Sequence, residues 1–302
     1  MSRDKESALV SGPSGEIFIG MGGWEIPSFS NVFYPPNAGR GFRKLEYYAQ
    51  FFDLVEVNAT FYTVSLSPVQ AQRWIEDVQA NERFLFTVKL FRGFTHTFDA
   101  AAKDALKTQY LLEFLAGAKK LGCLVAQFPV SYARTKEHQD YFLKLQNAFG
   151  EFGLFIELRH RSWDNKDFYD FCAVKKLHLV SVDLPALPEF MPFQHFVRQP
   201  ERYFRMMGRN AQGWKSGGKS GRYDYDYSKE ELENLYDHIL REEHHTQRTY
   251  VVFHNDTKIN SLVNGLDLKR LLKPGSRIPA PENLLLKFPQ LQKFCTTVNC
   301  KL

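Results

Sequence analysis

Eight short apolar or β-branched runs recur along the chain with helical patterning between them, and this spacing constrains the fold more than any other feature. The runs are Ile17–Met21, Leu54–Asn58, Phe84–Leu90, Cys123–Phe128, Phe155–Arg159, Leu179–Asp183, Tyr203–Met207 and Tyr250–Asn255. Strands that alternate with helices make successive βα units and hence a parallel sheet. Eight of them predict a closed, TIM-type (β/α)8 barrel, an α/β fold that commonly occupies about 250 residues as one domain. An open doubly wound sheet would carry a glycine-rich turn leading from its first strand straight into a helix. Here Gly22-Gly23-Trp24 runs on to Pro27, Pro35 and Pro36 instead. The barrel is predicted over residues 17–272, with 1–16 as a flexible N-terminal segment. Residues 273–302 carry Pro274, Pro279, Pro281 and Pro289 and read as a C-terminal extension packed on the barrel.

A barrel interior must be filled with bulky side chains, and 44% of the residues are hydrophobic, with 27 Phe among them. Two helix starts are explicit. Ser67-Pro68-Val69-Gln70 sets a capping Ser before a Pro at the first helical position, and Ser228-Lys229-Glu230-Glu231 forms the same kind of box. Cys123, Cys172, Cys295 and Cys300 are scattered without paired C-x-x-C spacing, which argues against a zinc site or a disulfide framework. No run approaches the ~18 apolar residues that span a bilayer, and Met1–Glu16 lacks the apolar centre of a secretory signal. The expectation is therefore a cytoplasmic protein without a membrane partner. The formal charge of +5 favours anionic partners weakly.

Barrel chemistry sits at the C-terminal ends of the strands, and residues two apart on a strand share a face. This selects Glu56 and Asn58, Thr87 and Lys89, Gln127, Glu157 and Arg159, Asp183, Arg205, and the run His254-Asn255-Asp256. Glu56, Glu157 and Asp183 balance Lys89, Arg159 and Arg205 in formal charge, as a partly buried ion-pair network requires. Two readings follow: a plug of satisfied pairs, or an outermost layer that contacts a substrate. For the second, Glu56, Glu157 and Asp183 are the candidate catalytic acids and bases. Lys89 and the arginines would hold an anion and stabilise developing negative charge. A metal at Glu157, Asp183 and His254 is disfavoured, since Lys and Arg compete for the same carboxylates. His96, in Thr95-His96 after the third strand, is a candidate proton carrier. No motif specifies a cofactor or an oligomeric state.

Residues Gly213 to Ser220 match the phosphate-loop pattern G-x-x-x-x-G-K-S. Such a loop needs a helix starting at its Lys, whereas helix signals begin only at Ser228. A softer expectation holds. After the seventh strand many barrels bind phosphate, and Arg209, Lys215, Lys219 and Arg222 lie there among glycines with Trp214.

These strand ends resemble one known family. Gly20-Met21-Gly22-Gly23-Trp24 followed by Phe33-Tyr34-Pro35 is similar to its opening signature, and Tyr48-Ala49-Gln50-Phe51-Phe52-Asp53-Leu54-Val55-Glu56-Val57-Asn58-Ala59-Thr60-Phe61-Tyr62 to its most distinctive stretch. The likeness continues through Phe86-Thr87-Val88-Lys89, Thr95-His96, Gln127-Phe128-Pro129, Glu157-Leu158-Arg159-His160-Arg161-Ser162-Trp163 and Tyr225-Asp226-Tyr227-Ser228. The family is the YecE-like "domain of unknown function 72", and the likeness spans roughly Ile17 to Leu268. It implies a barrel and a shared pocket, with Trp24, Asn58, Tyr62, Lys89, His96, Gln127, Arg159, Arg205, His254 and Asn255 as candidate substrate contacts, but no agreed activity. Two departures matter. The seventh strand, commonly Arg-x-His-Gly in the family, reads Arg205-Met206-Met207-Gly208, and the eighth, commonly Phe-Asn-Asn, reads Phe253-His254-Asn255. The second change relocates an imidazole to the neighbouring strand. The functional expectation is an enzyme, a hydrolase or lyase, acting on a small anionic, phosphorylated or nucleotide-like substrate. The rival is a nucleic-acid binder gripping phosphates with the basic loop and stacking on Trp214, Tyr223, Tyr225 and Tyr227.

Overall fold

The computed structural model describes residues 15–36, 38–194, 196, 199–216, 218–240 and 246–298. Eight parallel strands close a barrel in chain order: β1 (Glu16–Met21), β2 (Leu54–Val57), β3 (Leu85–Lys89), β4 (Leu121–Gln127), β5 (Leu154–Glu157), β6 (His178–Asp183), β7 (Glu201–Met206) and β8 (Arg248–Phe253), with β8 pairing back onto β1. All eight expected runs are strands, and the TIM-type barrel is the observed fold. Most of residues 1–16 and Cys300 lie outside the described residues; Cys123, Cys172 and Cys295 are buried free thiols.

The outer layer is helical. The helices are α1 (Lys44–Tyr48), α2 (Pro68–Asp77), α3 (Ala102–Gly117), α4 (Lys136–Phe149), α5 (Lys166–Lys175), α6 (Ala211–Lys215), α7 (Lys219–Arg222), α8 (Lys229–Leu240) and α9 (Asn260–Leu272). Ser67 caps α2 by accepting the Gln70 N–H (3.1 Å). Ser228 and Glu231 bond each other's backbone N–H before α8 (3.2 and 2.8 Å). Among the described residues no helix joins β6 to β7, where Pro185, Pro188, Pro192 and Pro200 remove backbone donors and fix φ. After α9 come β9 (Ile278–Ala280), α10 (Glu282–Lys287) and β10 (Cys295–Thr297). The two short strands pair in parallel, and Ile278, Leu284 and Leu291 pack into the outer core.

Alternation splits the apolar side chains into two cores. Phe18, Leu54, Leu85, Val125, Phe155, Val180, Val182, Tyr203, Tyr250 and Val252 fill the barrel. Ile19, Met21, Val55, Val57, Phe86, Leu124, Leu179, Phe204, Met206, Val251 and Phe253 face the helices. Both faces of each strand are thus apolar, as expected of a sheet covered on one side and closed on the other.

The seam between β1 and β2 is short, with only Gly20↔Leu54 and Met21↔Val55 in register. Tyr48 completes it from α1: its hydroxyl accepts from Met21 N (2.9 Å) and donates to the Leu54 carbonyl (2.8 Å), all fully buried. Asp53 Oδ1 takes the Ile19 N–H (3.0 Å). A Tyr48→Phe change strands a buried donor and a buried acceptor together, so a loss of about 2 kcal/mol is expected. Denaturant unfolding checks it; an unchanged midpoint would show that the ladder closes without the phenol.

Candidate active site

Strand parity decides which polar side chains meet. On β2, Glu56 continues the inward row begun by Leu54; on β3, Lys89 continues Leu85 and Thr87; on β5, Glu157 follows Phe155; on β7, Arg205 follows Tyr203; beyond β8, His254 follows Val252. β1 offers glycine to this interior. Gly22 lies against the imidazole of His254, and a Cβ there would stand 2.2 Å from Nδ1. The absent side chain is what lets the ring lie flat in the mouth.

Arg205 is the hub. Its Nη2 and Nε bond Glu56 Oε1 (2.7 Å) and Oε2 (3.0 Å), its Nη1 bonds Glu157 Oε2, and its Nε also points at His254 Nε2 (3.0 Å). The Tyr203 hydroxyl donates to Glu56 Oε2 (2.9 Å) and lies 3.0 Å from the Thr87 hydroxyl. Arg159 Nε donates to Glu157 Oε1 (2.7 Å). Every carboxylate oxygen therefore has a cationic or hydroxyl donor, the condition under which buried charge is tolerated. Burial alone would raise both acids. Arg205, with His254 and Lys89, instead holds Glu56 well below the usual carboxylate range. Arg205 and Arg159 hold Glu157 down at about 2. Neither acid is a proton acceptor near neutrality.

Lys89, His254 and Asp256 behave differently. The Lys89 ammonium sits 4.1 Å over the Phe61 ring and makes no hydrogen bond or ion pair with any described residue. Burial lowers it to about 7, and the neighbouring Arg205 and Arg159 add to this against Glu56 and Glu157. Burial and Arg205 likewise lower His254, so the ring is neutral at pH 7, with its Nε2 facing both Arg205 Nε (3.0 Å) and Glu56 Oε1 (3.3 Å). Burial pushes the Asp256 carboxyl up to about 6. These groups border one cleft of about 220 Å3 at the C-terminal mouth, together with Asn58, Tyr62, Gln127, Arg159, Met207 and Tyr223. Asn58 donates to the Gly22 carbonyl (2.6 Å), Gln127 donates to that of Phe128 (2.7 Å), and Tyr62 is exposed at the rim. A larger groove of about 490 Å3 lies on the outside, bordered by the α2 and α3 residues Gln72, Ile75, Tyr110, Glu113 and Phe114, away from the strand ends where barrels place their chemistry.

Lys89 gives a pH test with a definite sign. Its folded value lies below its ordinary 10.5, so between about pH 7 and 10.5 the unfolded chain binds more protons, and stability rises with pH across that window. Lys89→Met is expected to be more stable than the parent. The gain should be full below about pH 7 and fade as pH rises towards 10.5, measured by urea midpoints at pH 6, 8 and 10. A constant gap would remove the desolvated ammonium from the account.

Several sequence candidates lie elsewhere. Val180 and Val182 take the inward positions of β6, so Asp183 faces outward. There it accepts from Arg209 Nε (2.9 Å to each oxygen) and from the Tyr227 hydroxyl (2.6 Å). Its carboxylate is thus apart from Glu157 and His254, and the three do not converge on a metal position. Asn255 faces outward by the same parity and bonds Asn264 Oδ1 (2.7 Å) and the Tyr225 carbonyl (2.9 Å). Trp24 packs edge-on against Trp74 at 5.5 Å and borders a separate hollow. His96 lies near the cleft, edge-on to Phe61 at 4.8 Å. Burial, Lys89 and Arg159 lower it to about 4, so it is neutral throughout the physiological range.

The segment after β7 departs from the expected open loop. A helical turn does begin at Lys219, but it follows α6 rather than a strand. Gly213 packs so tightly on the Gly221 carbonyl that a Cβ would come within 2.1 Å. Gly217 and the Lys219 side chain lie outside the described residues. Arg209 is engaged by Asp183 and by Glu231 (3.0 Å), Lys215 is exposed, and Arg222 stacks on Trp214 at 5.3 Å. Trp214, Tyr223 and Tyr225 are half-buried and Tyr227 is buried, so none is a free stacking platform. Sequence reading did not single out Phe61, Met207, Tyr223 or Gly22 as cleft residues. The inward parity of Gly22 and Met207 was available; the seating of Phe61 and Tyr223 depends on loop packing.

Met207 and His254 occupy the inward positions just past the in-register pair Met206↔Phe253, with His254 N bonded to the Met206 carbonyl (2.8 Å). The two departures from the family pattern are therefore adjacent in space. The protein YunF of Bacillus subtilis is 29% identical over 276 residues, 85% of this chain and 94% of its own. YecE of Escherichia coli is 28% identical over 144 residues, 48% of each chain. A solved DUF72 family protein from Thermotoga maritima superposes with a TM-score of 0.74 at 28% identity, covering 85% of this chain and 99% of that one. A second, from Enterococcus faecalis, gives 0.74 at 25% identity, covering 85% and 95%. Among the described residues no helix is long and apolar enough to cross a membrane. A family model described as "Protein of unknown function DUF72" matches residues 18–285, and the chain belongs to that family.

Proposed function

We propose that the cleft binds a small anionic molecule and performs proton-transfer chemistry on it, as a lyase or hydrolase. The observation that carries this is Arg159. Its Nε is held by Glu157, while neither Nη has a hydrogen-bond partner among the described residues, and it borders the same cleft as the unpaired Lys89. A guanidinium fork oriented from behind by a carboxylate suits bidentate capture of a phosphate or carboxylate. Asp183 lies outside and Asp256 borders the cleft in its place, so what an incoming anion would meet is the open fork of Arg159 beside Lys89 rather than a net positive charge.

Glu56 and Glu157, first candidates for catalysis, are better suited to orienting Arg205 and Arg159. Lys89 and Asp256 are the groups able to exchange a proton near neutrality, with the neutral ring of His254 beside them. A cleft of about 220 Å3 falls below the ~300–1,000 Å3 of sites for drug-sized ligands, which favours a small phosphorylated or carboxylated metabolite over a whole nucleotide. The nucleic-acid reading has less support, since the aromatic rings it needs are packed among Phe190, Arg222, Glu231 and Asp183.

Orthophosphate tests the reading. At a concentration 100-fold above Kd it should stabilise the protein by about 2.7 kcal/mol. Arg159→Met should abolish the thermal shift, and the wild-type shift should shrink as pH rises through 7 and Lys89 loses its charge. An oligonucleotide affinity that falls steeply with salt, alongside no response to phosphate, would transfer the proposal to the polynucleotide reading.

A further inference from the structure

We propose that Lys89 is a covalent nucleophile whose amine condenses in the cleft with the carbonyl carbon of a small oxo compound bearing an acidic group. The inference rests on the anion-binding reading and deepens it by naming the substrate class.

A lysine that merely plugs a barrel ends on a carboxylate. Lys89 does not, although Glu56 and Glu157 face the same interior. Their oxygens are taken up by Arg205, Arg159 and Tyr203, and the Nζ rests instead on Phe61 with no described partner. The groups facing it are Arg205 and Arg159, which repel an ammonium, Glu56 and Glu157, which favour one, and the neutral rings of His254 and His96. Burial beside two guanidiniums is how a lysine is brought to its free, nucleophilic amine near neutral pH. Arg159, on the same cleft, would fix the acidic end of the ligand and turn a diffusing carbonyl into a held one.

The chemistry balances without an outside oxidant or reductant. The Nζ lone pair forms a bond to the carbonyl carbon while the C=O π pair moves to oxygen, which takes a proton to give the carbinolamine. The nitrogen gives up its remaining extra proton, the hydroxyl takes one and leaves as water, and amine plus carbonyl has become imine plus water. Asp256, pushed up to about 6, borders the cleft beside the neutral ring of His254 and is the group able to shuttle these protons.

Borohydride trapping decides the matter. The wild-type protein is incubated with pyruvate or dihydroxyacetone phosphate, reduced with sodium borohydride, weighed intact and mapped by peptide mass spectrometry. The expected result is one adduct per chain, on Lys89, with at least one probe. It should be absent in Lys89→Arg and at least tenfold weaker with acetone, which lacks an acidic group. The two probes separate a carboxylate-bearing from a phosphate-bearing substrate. An adduct with neither, or adducts spread over exposed lysines at the same level in Lys89→Arg, overturns the proposal. Wild-type mapping alone decides should that variant not fold. A phosphate-induced thermal shift without trapping rejects the nucleophile and leaves anion binding standing. Trapping at Lys89 without a phosphate shift supports the nucleophile and rejects the broader anion reading.

Discussion

Replacing Arg205 with methionine is expected to cost the fold about 3–5 kcal/mol, because it leaves Glu56 without its guanidinium and Glu157 with Arg159 alone in the barrel interior. Both acids are wholly buried, and Arg205 supplies two of the bonds to Glu56 and one to Glu157. The urea midpoint should fall with little change in the slope of the transition. The deficit comes from buried carboxylates short of positive partners rather than from lost volume. Adding Glu56→Gln and Glu157→Gln to Arg205→Met should therefore restore much of the stability, and no recovery would show the guanidinium acts mainly by packing. The pH dependence has a sign. Glu157 is depressed from 4.5 to about 2, so its contribution is complete above about pH 4.5 and is lost as pH falls through about 2. Without Arg205, burial pushes both carboxyls upward and they protonate earlier. The gap between wild type and variant should narrow on acidification through the carboxylate range.

Gly20→Ala should be nearly as damaging, at about 3 kcal/mol, the upper part of the usual range for overpacking. A Cβ on Gly20 would stand 1.8 Å from the Leu54 carbonyl oxygen and 2.4 Å from its carbon. Those are backbone atoms in the two-pair seam that Tyr48 already has to complete, so no flexible side chain can yield. Relief requires β1 and β2 to separate, which breaks the Tyr48 bonds as well. Gly20→Ala and Tyr48→Phe should then be markedly less than additive in a double-mutant cycle. Full additivity would mean that the seam does not open at Gly20.

The barrel was legible because eight strands buried on both faces write eight apolar runs into the chain. The same double burial hid part of the site. In Leu179-Val180-Ser181-Val182-Asp183 both neighbours of Ser181 are valines, so nothing in the string says whether Asp183 faces in or out; the packing of Leu179 outward and of Val180 and Val182 inward decides it. Asn255 is hidden for the same reason, following Val251, Val252 and Phe253. Where a strand carries one unmistakable interior charge, as Glu56, Glu157 and Arg205 do, the sequence selected the residue. The three acids the sequence selected are not the three that meet at the mouth. Asp183 left the interior for Arg209 while Asp256 borders the cleft, an exchange invisible to a count of residues.

Behind the mouth, the Asp183–Arg209–Tyr227 knot and the Asn255–Asn264 pair fasten the segment after β7 and the start of α9 from the far side of the wall. Consecutive residues on one strand therefore answer to separate tasks, His254 to the hollow and Asn255 to the rivets. A protein engineer can accordingly vary His254 without cutting the ties that Asn255 makes to α9, whereas the segment from Arg209 to Tyr227 carries Tyr223 into the cleft and travels with its lining.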